Sequence, residues 1–202
     1  MIGAVPAGAR ATARQIALFG TDEPAPVARQ LRAGTLSCEL IDGNLRNIRF
    51  NGVEVLRAIS FVVRDSDWGT YAPTLRDLAV EESEGRFTVR YRAACVGTGG
   101  ERLVYEGRIL GTPTRLAFDA EAVPEHDFLT NRCGFTILHP VVGLAGAPVE
   151  VEHVDGRRVE ARLPELIEPA QPFKDMRAIS HQVTPSARAT CRMEGDSFEM
   201  ED

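Results

Sequence analysis

The sequence predicts an all-β chain, a large antiparallel two-sheet β-sandwich of the supersandwich kind with little helix. Three observations carry that prediction. Leu45 to Phe50 alternates apolar and polar residues, Asn51-Gly52 follows, and Val53 to Val63 returns rich in β-branched residues. Asn-Gly tolerates the two positive φ angles of a type I′ turn, so this stretch reads as a long hairpin. Beyond it, short alternating runs are separated by turn residues about every ten positions, the spacing of antiparallel sandwiches and barrels. No stretch combines helical periodicity with the length of a long helix.

Taken in order, residues 1–14 are rich in Ala and Gly without a fixed period and read as a loose leader. Residues 15–202 read as one sandwich domain, with a small separate domain after Pro164 as the alternative. Gln15 to Phe19 reads as a short first strand, and Asp22-Glu23-Pro24 as at most one helical turn, because Pro26 follows. Leu36, Cys38 and Leu40 alternate with Thr35, Ser37 and Glu39, a half-buried strand that Asp42-Gly43-Asn44 turns into the hairpin. The second hairpin arm becomes apolar on both faces at Val62-Val63, as a covered central strand does, and runs into the polar and aromatic loop Arg64 to Pro73.

Strands follow over Leu75 to Glu81, Phe87 to Cys95, Leu103 to Arg108 and Leu116 to Glu121, with turns at Ser83 to Gly85, Gly97 to Gly100 and Gly111 to Pro113. Phe128 to Pro140 reads as an otherwise apolar strand with Asn131 and Arg132 in its middle and His139 near its end. Further strands are expected at Val149 to Val154, Arg158 to Leu163, Met176 to Val183 and Ala187 to Met193, with hairpin-type turns at Asp155-Gly156 and Gly195-Asp196. Phe198 opens a last short strand. Pro164 to Pro172 is proline-punctuated and cannot be a central strand.

Composition excludes several functions. The 202 residues carry 23 Lys and Arg against 29 Asp and Glu, a net charge of -6, whereas non-specific nucleic-acid binding needs a basic face. Lys174 is the only lysine, so nearly all positive charge is guanidinium. The four cysteines, Cys38, Cys95, Cys133 and Cys191, are far apart and form no C-x-x-C pair, which argues against a zinc site and for buried free thiols in a reducing compartment. No signal-peptide pattern opens the chain, and no run reaches the ~18 apolar residues of a membrane span, so a cytoplasmic protein is expected. Neither a metal nor a cofactor is expected: His126, His139, His153 and His181 show no ligand spacing, and no G-x-S-x-G or phosphate-binding glycine loop occurs.

Several of these stretches resemble one family. Arg29 to Gly34, Gly43 to Arg49 with Gly52 to Arg57, Arg64 to Tyr71, Phe128 to Phe135 with Leu138-His139-Pro140, Glu152 to Gly156 and Cys191 to Asp196 are similar to the amino-terminal domain of the D-apionate lactonase family. The resemblance covers roughly Leu18 to Asp202. It implies a bacterial enzyme of apiose catabolism that opens the lactone ring of an oxidised branched pentose. It also implies a longer protein, with a central barrel-type domain and a carboxy-terminal domain following this one as partners.

Two groups of residues are candidates for binding a sugar-acid lactone or another carbohydrate. In the loop, Trp68 and Tyr71 offer aromatic faces to a sugar ring, while Arg64, Asp65 and Asp67 offer hydrogen bonds to its hydroxyls. The structural alternative is that Trp68 plugs one end of the sandwich and an aspartate caps the turn. In the second group, Asn131, Arg132 and His139 would hold a sugar acid with Arg132 facing its carboxylate; the alternative is an internal ion pair with one of the glutamates. Lactone hydrolysis needs an activated water and a stabilised oxyanion. Glu152-His153 is the nearest acid/base couple, although adjacent strand residues point to opposite faces. An aldose epimerase-like enzyme, with a His and a Glu facing each other across a sugar, and a plain carbohydrate-binding module are the competing functions.

Overall fold

The computed structural model describes residues 13–20, 22 and 26–201. The leader to residue 12 and Glu23-Pro24 lie outside the described residues. Ala13–Phe19 is a helix, α1, not the expected strand. The four apolar residues after Gln15 do not settle strand against helix, and the alanines at 13 and 17 favour the helix.

Fourteen strands follow among the described residues. A first sheet is built from β1 (Arg29–Ala33), β2 (Leu36–Ile41), β3 (Asn44–Phe50), β4 (Val53–Arg64) and β9 (Arg132–Leu138), in the order β1-β2-β3-β4-β9. A second holds β5 (Thr74–Ser83), β6 (Arg86–Val96), β7 (Arg102–Thr112) and β8 (Arg115–Pro124) in sequence order. The third contains β10 (Pro148–His153), β11 (Arg158–Arg162), β12 (Phe173–Thr184) and β13 (Ala187–Arg192), ordered β11-β10-β12-β13, with β14 (Phe198–Met200) also on β12. All these pairings are antiparallel.

The hairpin at Asn51-Gly52 forms as its sequence dictates, with φ of 48° and 80° at the two turn residues. β1 is a strand that periodicity does not mark, because only Leu31 and Ala33 of its residues are buried. Gly195-Asp196 does not close a hairpin: β14 pairs with β12, further along the edge that β13 occupies. The strand expected over Phe128 to Pro140 starts only at Arg132, so that guanidinium sits exposed at a strand end instead of inside a sheet. Of the four free thiols only Cys38 and Cys95 are buried; Cys133 is exposed and Cys191 half-buried.

The first two sheets form the sandwich. Leu36, Cys38 and Leu40 face Phe87, Val89, Tyr91, Ala93 and Cys95 within one apolar cluster, as the alternation in both strands requires. Tyr91 ties the layers. Its ring lies over Gly107, its cross-strand partner in β7, and its hydroxyl donates to the Gly43 carbonyl in the β2–β3 turn of the opposite sheet, 2.9 Å away. Aromatic contacts continue the tie: Tyr91 to Tyr105 at 6.1 Å, Tyr105 to Phe61 at 4.7 Å, Phe61 to Phe135 at 5.5 Å and Phe135 to Phe118 at 5.1 Å between ring centres.

The strands from Pro148 onward pair with one another and not with the sandwich. Leu144, Val149, Val151, Leu163, Met176 and Ile179 make a second apolar cluster for them.

Gly107 must stay a glycine, since an added Cβ would lie 2.2 Å from the Tyr91 ring. Gly107→Ala should lower the urea midpoint by an amount equivalent to ~1–3 kcal/mol, the range for overpacking a core. A strand glycine without this contact would instead gain from alanine, so an unchanged or raised midpoint would contradict the tie.

Candidate functional site

The loop after β4 is built by its first aspartate. Asp65 Oδ1 accepts from the backbone N–H of Asp67 at 2.9 Å and of Gly69 at 2.8 Å, closing an Asx-type turn that holds Trp68 at a φ of 66°. Arg64 Nη1 donates to the Thr70 hydroxyl and, at 3.4 Å, to the Trp68 carbonyl. Tyr71 packs on Phe128 with ring centres 5.1 Å apart, and its hydroxyl donates to the Leu129 carbonyl at 3.4 Å. The side chain of Asp67 is exposed.

β9 begins opposite Arg64, which brings the second candidate group to this loop. Asn131 donates through its backbone N–H to the Arg64 carbonyl at 2.9 Å and through Nδ2 to the Ser66 carbonyl at 3.4 Å. The Arg132 guanidinium lies 5.3 Å from the centre of the Trp68 ring and donates to Glu199 and Glu201, each at 3.1 Å. Arg64, Asp65, Asp67, Trp68, Tyr71, Asn131 and Arg132 therefore share one corner. The carboxylates on Arg132 are the protein's own, supplied by β14 and the residue after it. With half of the Arg132 side chain exposed, each ion pair is worth ~0–1 kcal/mol and the ring contact ~0.5–1 kcal/mol. They fix direction more than they add stability.

His139 is elsewhere. Seven residues of extended chain separate it from Arg132, roughly 23 Å at strand rise. It stands beside His181 of β12, with ring centres 5.7 Å apart and planes at 73°. Its Nδ1 is buried without a hydrogen-bond partner among the described residues, while His181 Nδ1 lies 3.5 Å from the Gln182 carbonyl. Burial first, and the neighbouring His181 second, push the His139 pKa down to about 4. Burial lowers His181 as well. Both rings are neutral at pH 7.

Between β9 and the apolar face of the third sheet runs a groove of about 620 Å³, with Arg132, Glu199 and Glu201 among its lining residues as well as His139. Leu138, Leu163, Met176, Ile179, Met193 and Phe198 make much of its wall. Among the described residues no three His, Cys, Asp or Glu side chains come together in a way that would hold a metal ion.

Glu152 and His153 do not form a couple. Arg192 grips Glu152 through two hydrogen bonds of 3.1 Å, with Arg158 at 3.2 Å and Arg177 at 3.7 Å. These guanidiniums hold the carboxyl below the usual carboxylate range, Arg192 first. His153 turns its Nδ1 to the Lys174 carbonyl, 3.0 Å away. An epimerase-like arrangement needs His139 or His153 facing a glutamate; His139 faces a second histidine and His153 a backbone carbonyl.

The family model described as D-apionate lactonase, N-terminal domain, matches residues 16–202. The chain belongs to that family. The D-apionate lactonase of Brucella anthropi is 55% identical to it over 186 residues, which are 92% of this chain and 30% of that protein. The chain thus spans under a third of that curated relative. No solved structure matches. No helix of the described residues is long and apolar enough to cross a membrane.

The internal ion pair expected as the alternative for Arg132 is the arrangement found, with Glu199 and Glu201 as its partners; sequence reasoning did not place the groove and missed the His139–His181 contact. Each joins elements far apart in the chain, and the only local signal is that His181 shares the strand face of Ile179, as their β10 partners Val149 and Val151 show.

The histidine pair makes stability depend on pH. The His139 pKa is about 6.5 when unfolded and about 4 when folded. Its burial therefore leaves stability intact above pH 6.5 and removes it as the pH falls towards 4, by at most ~3 kcal/mol. Thermal melts of the parent and His139→Leu at pH 7 and pH 4.5 check this, because other acids cancel in the comparison. The variant should lose less stability on acidification; equal losses would refute the neutral, buried ring.

Proposed function

We propose that this chain is the amino-terminal module of a bacterial enzyme that hydrolyses the lactone of a branched sugar acid, and that the module supports the enzyme without performing the ring opening itself. The family membership over residues 16–202 supports the reaction class. One structural observation carries the supporting role: the carboxylates of Glu152 and Asp65 and the guanidinium of Arg132, the charged groups best suited to the chemistry, are already bonded within the protein.

Ring opening adds water to the carbonyl carbon and breaks its bond to the ring oxygen, giving the hydroxy acid. That requires a base beside the water and donors around the developing oxyanion. Glu152 is held by three arginines, and Asp65 caps its own loop. Arg132, the natural anchor for a sugar-acid carboxylate, is engaged by Glu199 and Glu201. His139 lines a groove whose wall is mainly aliphatic, with Thr136 and Glu165 the polar side chains besides the Arg132 cluster. The free thiols and the lack of any disulfide among the described residues suit a reducing, cytoplasmic setting.

Proton release from D-apionate lactone in a pH-stat separates this from an independent enzyme. The 202-residue chain should not accelerate hydrolysis above the buffer rate, while a full-length protein containing it should. Turnover by the chain alone, abolished by His139→Leu or Glu152→Gln, would overturn the supporting role.

A further inference from the structure

We propose that the groove between β9 and the third sheet is where the remaining polypeptide of the full-length protein docks, through apolar side chains. The inference rests on the reading of this chain as an amino-terminal module, and three observations lead to it.

The first is the lip of the groove. Val141, Leu166 and Ile167 line it while 77%, 84% and 84% exposed. Single exposed aliphatic residues are ordinary, but several around one apolar depression mark an interaction surface. Met176 and Met193 in its wall add unbranched, adaptable side chains that mould to a protein partner.

The second is polarity. The charges of the lining are Arg132 with Glu199 and Glu201 at one end and the exposed Glu165 beside Leu166, while His139 is held neutral by burial and the walls between are apolar. A charged or hydroxyl-rich occupant would forfeit its hydrogen bonds to water along these walls. Aliphatic and aromatic side chains would forfeit nothing.

The third is position. The family is defined as an N-terminal domain, its match runs to residue 202, and the matched part is 30% of the Brucella anthropi protein. In such a protein the polypeptide continues from the place of residue 202, and Phe198 to Glu201 belong to the groove's lining. The continuation therefore starts at the groove's rim. A tethered segment needs little intrinsic affinity, because the effective concentration of a short link is on the order of millimolar.

A photo-reactive benzoylphenylalanine placed at Leu166 in the full-length protein tests this, with the same group at Leu78, half-exposed on β5, as the control. Irradiation should give cross-links within one chain from position 166 to residues beyond 202, at least fivefold above the control and unchanged on tenfold dilution. Cross-links between two copies that fade on dilution would overturn the proposal in favour of self-association. A co-purifying apolar small molecule that blocks the reaction, or a yield no higher than at Leu78, would overturn it equally. Lactone hydrolysis is followed on the same preparation. Active protein without the intrachain cross-link sinks the docking surface alone; cross-linked protein without hydrolysis sinks the functional reading and leaves the surface standing.

Discussion

The row of aromatic rings from Tyr91 through Tyr105, Phe61 and Phe135 to Phe118 is what the rest of the domain leans on. Two of these rings belong to the first sheet and three to the second, so neither layer can slide without breaking tilted and edge-on contacts worth ~0.5–1.5 kcal/mol each beyond their burial. The row also explains why β9 is in the sandwich. That strand arrives after the whole second sheet has been laid down, and Phe135 gives it a place beside Phe61, its register partner in β4.

Once β9 is seated, its two ends become the joints to the third sheet. At the start, Arg132 reaches from the sandwich to Glu199 and Glu201, with Trp68 beneath it. Beyond the last residue, His139 meets His181. The apolar groove lies between these joints. Arg132 and His139, which look like binding groups in isolation, are thus divided between two structural junctions, and the groove between them is mainly hydrophobic. That distribution suits a module that carries another part of a protein better than it suits a sugar site.

How much was legible in the sequence follows from the range of each interaction. Asn51-Gly52, the alternation of Leu36, Cys38 and Leu40, and that of Phe87, Val89 and Tyr91 are local signals, and the structure obeys them. The same holds for Asp65, whose turn-capping role is written within four residues. Arg132 is different. Its partners lie 67 and 69 residues away, so the sequence points to an internal ion pair with some glutamate but does not say which. His139 and His181 are 42 positions apart and meet only because β9 and β12 belong to different sheets that happen to abut. β1 is missed for a local reason, since only two of its residues are buried and they impose no clear period; the short run at α1 fits strand or helix equally by pattern.

Whether the corner of Trp68 and Arg132 is a joint or a ligand site can be read directly by NMR. The indole N–H of Trp68 and the Nε–H of Arg132 would be followed in the labelled domain while D-apionate is added to tens of millimolar, far above a useful sugar affinity. Side chains that serve as a joint leave both signals in place. A saturable shift of the two together, with Glu199 and Glu201 displaced from the guanidinium, would contradict it.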